Sequence, residues 1–222
     1  MNGFVKVSNS IFDYNLSPKA LFVYTYLSSR VSCLQTTSLN YKTISTACNM
    51  DVKTIRSAVV ELESHALVFK QNRYNCRGYI ANRYYITNII KDNKGWFKLT
   101  RELFKTSIKA TDFMVYCFVV CKMSENDKQA FPSLSAICDG TGISRGRVSK
   151  SIQYLRSFTY LNRIKRHYRR TRAYRHNRYI HFICNVKKDK RKARTPKVRT
   201  HQNQLICIID PFQVKCNRVL RI

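Results

Sequence analysis

The sequence predicts an α+β fold, mainly helical, in which one unit of about ninety residues is used twice. Three observations carry this. The chain repeats: Gly3-Phe4-Val5-Lys6-Val7 returns as Gly95-Trp96-Phe97-Lys98-Leu99, Phe12 as Phe104 and Val23-Tyr24 as Val115-Tyr116, at an offset of 92 residues. The offset becomes 93 where Ile44, Asp51, Ile55 and Leu62 meet Ile137, Ser144, Val148 and Leu155, and 95 where Asn82-Arg83-Tyr84 meets Asn177-Arg178-Tyr179. Each copy also runs from apolar residues at helical spacing into strand-forming residues around a turn. Finally, only loops absorb the length changes.

In the first copy, Ser17-Pro18 opens a helix, because serine caps free amides and proline suits a first turn. Ala20, Leu21, Tyr24 and Leu27 then bury one face. A polar loop through Thr36-Thr37-Ser38 follows. Asn40 caps a short helix with Ile44 and Ala47 inward. Asn49 and its counterpart Gly142 are the residue types that most readily take the left-handed conformation a tight turn needs. Met50 and Ile143 plug the angle, and Asp51 and Ser144 are good N-caps. Short helix, left-handed residue, plug, cap and second helix together make a helix-turn-helix pattern, present twice.

The second helix of the first motif runs from about Val52 to His65, burying Val52, Ile55, Val59 and Leu62 beside Ala58. Off that stripe lie Lys53, Thr54, Arg56 and Ser57, types that reach base edges and phosphates from a helix in a major groove. A solvated face carries charge too, so the hairpin that follows matters. Leu67-Val68-Phe69 leaves as a strand, Asn75-Cys76-Arg77-Gly78 turns it, and Tyr79 to Ile86 returns. A helix-turn-helix with a hairpin is a winged helix. Lys70, Arg73 and Arg77 place positive charge around the wing tip, suited to phosphates and the minor groove.

The second copy has its first helix over roughly Thr111 to Cys121, a polar loop from Ser124 to Gln129, and Ser133 as cap of the short helix. Its recognition helix, after Ser144, buries Val148, Ile152 and Leu155 and leaves Arg145, Gly146, Arg147, Ser149 and Lys150 toward solvent. The second wing is densest in charge: Arg163, Lys165, Arg166, His167, Arg169, Arg170, Arg172 and Arg175, with Tyr168 and Tyr174 among them. Such a run repels itself without counter-charge, so it is expected to order on a phosphate backbone. On the return strands Tyr84 and Tyr179 are expected in the core, and Arg83 and Arg178 on the opposite face. The domains expected are 1–90, 91–184, and a basic linker and tail over 185–222. In the tail, Leu205 to Ile209 reads as one added strand.

The 222 residues carry 41 lysines and arginines against 12 acidic residues, a net charge of +29. That field concentrates polyanions, so nucleic acid is the favoured partner class over an anionic membrane. No long apolar span or signal-peptide pattern is present, and a cytoplasmic location is expected. Nine cysteines, an odd count without Cys-x-x-Cys, argue against a disulfide framework and a zinc module. Cys117 and Cys121 share a helix face, where apolar packing is the simpler account. No cofactor, metal or catalytic residue is assigned. The acidic residues form no repeated pair, there is no P-loop pattern, and His167-x-x-Arg170 lies in a wing tip, a poor place for a rigid site.

Leu16-Ser17-Pro18-Lys19-Ala20 with Ile44 through Leu67 resembles bacterial winged helix-turn-helix proteins. So does Phe131-Pro132-Ser133-Leu134 with Ile143-Ser144-Arg145 and the helix to Leu155. Two such domains in tandem resemble plasmid and mobile-element replication initiators. The resemblance implies non-enzymatic, sequence-specific binding of double-stranded DNA at an origin or operator, nucleoid or plasmid association, and other replication or transcription proteins as further partners. A DNA-nicking or strand-transfer enzyme and a structured-RNA-binding protein are the alternatives. Oligomeric state is left open.

Overall fold

The computed structural model describes residues 3–32, 34–76, 78–87, 95–123, 129–158, 160–167 and 174–181. For Tyr79 and for most strand residues within 162–181 it describes the backbone alone. The fold is mixed α/β, and one order of elements occurs twice. The first copy has β1 (Phe4–Ser8), a 3-10 helix (Asn9–Tyr14), α1 (Pro18–Ser29), β2 (Thr36–Leu39), α2 (Tyr41–Cys48), α3 (Val52–Ser64), β3 (Val68–Asn75) and β4 (Gly78–Ile86). The second has β5 (Trp96–Thr100), a 3-10 helix (Arg101–Lys105), α4 (Ala110–Cys121), β6 (Gln129–Ala130), α5 (Leu134–Thr141), α6 (Arg145–Ser157), β7 (Leu161–His167) and β8 (Tyr174–His181).

The helix starts follow the capping chemistry. Ser17 Oγ accepts from the Ala20 amide, Asn40 Oδ1 from Thr43, and Ser133 Oγ from Ala136. Inside α1 the outcome differs from a single buried face. Every residue from Ala20 to Leu27 is buried. The cause is tertiary: α1 packs against α3 on one side and against α4 of the other copy on another. Thr25 is tolerated there because its hydroxyl donates to the carbonyls of Leu21 and Phe22, each at 2.9 Å.

Two stretches expected as polar loops contain strands. Thr36–Leu39 is β2, paired antiparallel with β4, and Gln129–Ala130 is β6, paired with β8. The three-stranded sheets are ordered β2-β4-β3 and β6-β8-β7. Only Thr37 in β2 is buried, so no apolar alternation announces the strand; its reason to form is the backbone hydrogen bonding of an edge. Tyr84 and Tyr179 on the return strands are fully buried, with Arg83 and Arg178 half-buried.

The third sheet joins the copies. β1 pairs antiparallel with β5 in the register Phe4↔Thr100, Lys6↔Lys98, Ser8↔Trp96. Because Trp96 is the repeat counterpart of Phe4, and Thr100 of Ser8, each position meets its partner's equivalent, as at an isologous two-fold interface. The core obeys the same relation. Phe12 meets Phe118 edge to face at 5.2 Å, and Tyr26 meets Phe104 edge to face at 5.4 Å. Phe104 is the counterpart of Phe12 and Phe118 that of Tyr26, so these are one contact made twice about a pseudo-two-fold axis. Phe22 stacks on Phe113 between the copies at 4.3 Å, and the buried residues of both copies form one core. The described residues all fall in one compact unit. Leu205 to Ile209 and the rest of the basic tail lie outside them.

Candidate nucleic-acid interface

The turns between α2 and α3 and between α5 and α6 are built alike. Asn49 ends α2 at φ 52°, Gly142 ends α5 at φ 66°, and both are left-handed. Met50 is half-buried and Ile143 buried beneath the angle. Asp51 caps α3: its carboxylate accepts from the Thr54 amide at 2.8 Å and the Thr54 hydroxyl at 2.6 Å. Those bonds hold its pKa below the usual carboxylate value. Ser144 occupies the same place before α6, in extended backbone, yet its side chain makes no capping bond. The expected cap is there in position alone, leaving the first-turn amides of α6 without that partner.

On α3, Lys53, Arg56 and Ser57 are exposed and Thr54 is half-buried. Two of these side chains are already engaged. The Thr54 hydroxyl belongs to the cap, and Ser57 donates back to the Lys53 carbonyl at 3.3 Å. The Arg56 guanidinium lies 5.5 Å from the Tyr41 ring, a stack that steadies it at the surface. On α6, Arg145 and Lys150 are exposed and Ser149 is half-buried.

Arg147 departs from the expectation of a residue left to solvent. Its Nη2 donates to Thr111 Oγ1 at 3.0 Å and stands 3.9 Å from the Asp112 carboxylate. Asp112 is 4% exposed and accepts from the buried Ser151 hydroxyl at 2.6 Å. A carboxylate in that position needs a counter-charge, and Arg147 supplies it. The first copy has a different tie in the same region: the Glu61 carboxylate accepts from the amide and hydroxyl of Ser17. Sequence patterning missed Glu61, Asp112 and Ser151 because their partners lie 39 to 44 residues away. It also missed Lys19, which with Ser17, Lys53, Ser57 and Glu61 lines a shallow cleft between α1 and α3.

The hairpins redistribute the remaining charge. Lys70 is at the base of the first hairpin rather than near its tip. It stands opposite buried Tyr84, its amide donates to Glu63 at 3.1 Å, and its ammonium lies 4.0 Å from that carboxylate. Each strand is eight or nine residues long, so the tip is far from position 70. Arg73 follows a bulge and donates from Nη1 to Ser38 Oγ at 3.3 Å. Arg163, like Lys70, stands opposite a buried tyrosine, Tyr179, and its Nε is buried with no hydrogen-bond partner among the described residues. Lys165 lies on β7, and Arg166 is opposite Arg175 in the β7–β8 register. Arg77, Arg169, Arg170 and Arg172 lie outside the described residues.

Among the described residues, no group of three or more His, Cys, Asp or Glu side chains is arranged to hold a metal ion. Burial pushes the Cys48 thiol up to about 12 and Cys121 up to about 11. No described helix is long and apolar enough to cross a membrane.

Residues 106–161, which span α4 to the start of β7, match the helix-turn-helix domain family. The second copy therefore contains a helix-turn-helix domain. Over most of its length, the fold is similar to that in the crystal structure of the Pi initiator protein in complex with iteron DNA. The TM-score is 0.51 over 79% of this chain and 95% of that one, at 10% sequence identity, so the likeness is one of fold. No curated protein sequence matches the chain.

Proposed function

We propose that the chain is a sequence-specific, double-stranded DNA-binding protein whose two copies are winged helix-turn-helix domains with basic wings. The observation that carries this reading is the doubled geometry of α2–α3 and α5–α6 about one pseudo-two-fold axis. Lys53, Arg56, Arg145 and Lys150 stand exposed in the leading turns of α3 and α6. Helices presented this way enter successive major grooves about one turn, roughly 10 base pairs, apart. The wings then meet flanking phosphates. The β7–β8 register sets Arg166 opposite Arg175, so two basic residues share one rung of the second wing. The fold likeness to an initiator bound to iteron DNA favours replication initiation at a plasmid or mobile-element origin over transcriptional control.

The axis adds an orientation. Protein two-folds are mirrored in operator symmetry, so the half-sites are inverted with respect to one another. They differ in sequence, because Lys53-Thr54-Ile55-Arg56 and Gly146-Arg147-Val148-Ser149 occupy equivalent positions. Selection of duplexes from a random pool tests this. The expected product is an imperfect inverted repeat within a footprint on the order of 20 base pairs. Inserting five base pairs at its centre is expected to abolish tight binding; undiminished affinity would show that the copies act separately, and a pool that enriches no motif would refute sequence-specific reading.

A further inference from the structure

We propose that the outer face of the β2–β4–β3 sheet is a second nucleic-acid site that takes single-stranded DNA. Bases stack on Phe69 and Tyr85, and Arg73 and Arg83 meet the phosphates. Register defines the face. Phe69 stands opposite Tyr85 and Gln71 opposite Arg83, with Thr36 and Ser38 next to them on β2. The alternate positions Thr37, Val68, Tyr84 and Ile86 are buried in the core that includes α3. The outer face therefore lies across the sheet from α3, and the reading of base edges by that helix leaves the two rings uncovered.

Its chemistry is unusual for a solvated sheet. Phe69 is 64% exposed and Tyr85 37%, with ring centroids 5.9 Å apart. The Tyr85 hydroxyl donates to Gln71 Oε1 at 3.1 Å, which holds the ring in place. The bond from Arg73 to Ser38 carries its guanidinium across β4, onto the same face as Arg83. The residues that the register puts on this face include no carboxylate. Folding does not demand the aromatic pair. In the second copy, Asn162 and Ile180 stand opposite one another at the equivalent place in the β7–β8 register. Exposed rings with arginines and no acids fit unpaired bases, whose faces a duplex hides. A second copy of this chain is the poorer occupant, since it would bring the same arginines against each other. Preferring DNA to RNA rests on the duplex reading above; the stacking platform does not.

The test uses the full chain, with fluorescence anisotropy on labelled oligo(dT) and oligo(U) of about twelve nucleotides, and on the selected duplex. Phe69→Ser with Tyr85→Ser is expected to weaken oligo(dT) binding at least about tenfold, given the usual size of base–aromatic stacking. Duplex affinity is expected to stay within about twofold, since α3 and α6 are untouched. Phe69→Trp is expected to keep oligo(dT) affinity and to add a fluorescence signal that the oligonucleotide quenches. The proposal is overturned by an unchanged oligo(dT) affinity, by equal losses on strand and duplex, by an unquenched tryptophan, or by preference for oligo(U). A dimer that the double substitution dissociates would also overturn it. If selection finds no duplex site and oligo(dT) binding still depends on the two rings, the platform stands and the duplex reading falls.

Discussion

Lys6 stands directly opposite Lys98, its own counterpart in the repeat, at the centre of the β1–β5 pair. Like charges placed opposite one another across two strands destabilise the pairing. Trp96 offsets this: the Lys6 ammonium lies 4.5 Å from its ring centroid and the Lys98 ammonium 5.1 Å. One indole thus serves two cations where the pseudo-two-fold axis crosses the sheet. Each exposed contact of this kind contributes about 0.5–1 kcal/mol. Trp96→Leu is expected to lower stability by about 1–2 kcal/mol, read as a lower urea midpoint with an unchanged slope. An unaltered midpoint would show that the ring is not what holds the two lysines together.

Arg145 and Arg147, two residues apart on α6, separate into different tasks. Arg145→Ala is expected to change stability by no more than about 0.5 kcal/mol and to relax base preference by about 1–3 kcal/mol at one or two positions of the selected site. Arg147→Ala removes the cation facing buried Asp112 and the donor to Thr111. Its cost is expected in stability, about 1–2 kcal/mol once the half-exposed guanidinium is discounted for screening. Binding to a panel of single-base site variants, alongside denaturant unfolding, separates the two; a pure specificity loss at Arg147 would contradict the structure.

Gly140 and Gly146 look alike in sequence and are opposites in space. A Cβ on Gly140 would run into the ring of Phe118, whereas one on Gly146 would meet nothing within 4 Å. Gly140→Ala is expected to destabilise by about 1–3 kcal/mol through overpacking. Gly146→Ala is expected to stabilise by up to about 1 kcal/mol through helix propensity. If the start of α6 approaches a phosphate, Gly146→Ala also weakens duplex binding while raising the thermal midpoint. Weaker binding together with a lower midpoint would assign Gly146 a structural role instead.

Charge in the second hairpin is expected to act through counterion release. Neutralising Arg166, Arg169, Arg170 and Arg172 together should reduce affinity for all duplexes and flatten the log–log salt dependence by roughly 0.9 per lost phosphate contact. Titrations from low to high salt against specific and random duplexes measure it. A salt slope identical to that of the unaltered chain would remove this hairpin from the interface.

Much of this molecule is written locally. Asn49, Gly142, Asp51 and the apolar stripe Ile55, Val59 and Leu62 act within one or two turns of chain, so their spacing announces the helices, the turn and the exposed basic side. Strands β2 and β6 were silent because a short edge strand is selected by the backbone partner it finds, and that partner is more than forty residues away in each case. A distant partner likewise hid the role of Arg147, whose Asp112 is met only when α6 and α4 come together. Lys70 meets Glu63, seven residues back, because the chain turns from α3 into β3, a change of direction that neither helical nor strand periodicity describes.

By itself, then, the sequence determined the repeat, the paired helix-turn-helix patterns and the basic surface, since each depends on periodicity, capping and charge within a short window. Only the tertiary structure decided that the two copies share one core, that an axis through Lys6 and Lys98 relates them, and which basic residues remain exposed. Those outcomes depend on long-range packing. A side chain such as Arg147 is drawn to a buried carboxylate because an unpaired charge in the core costs more than an arginine gains by staying in water.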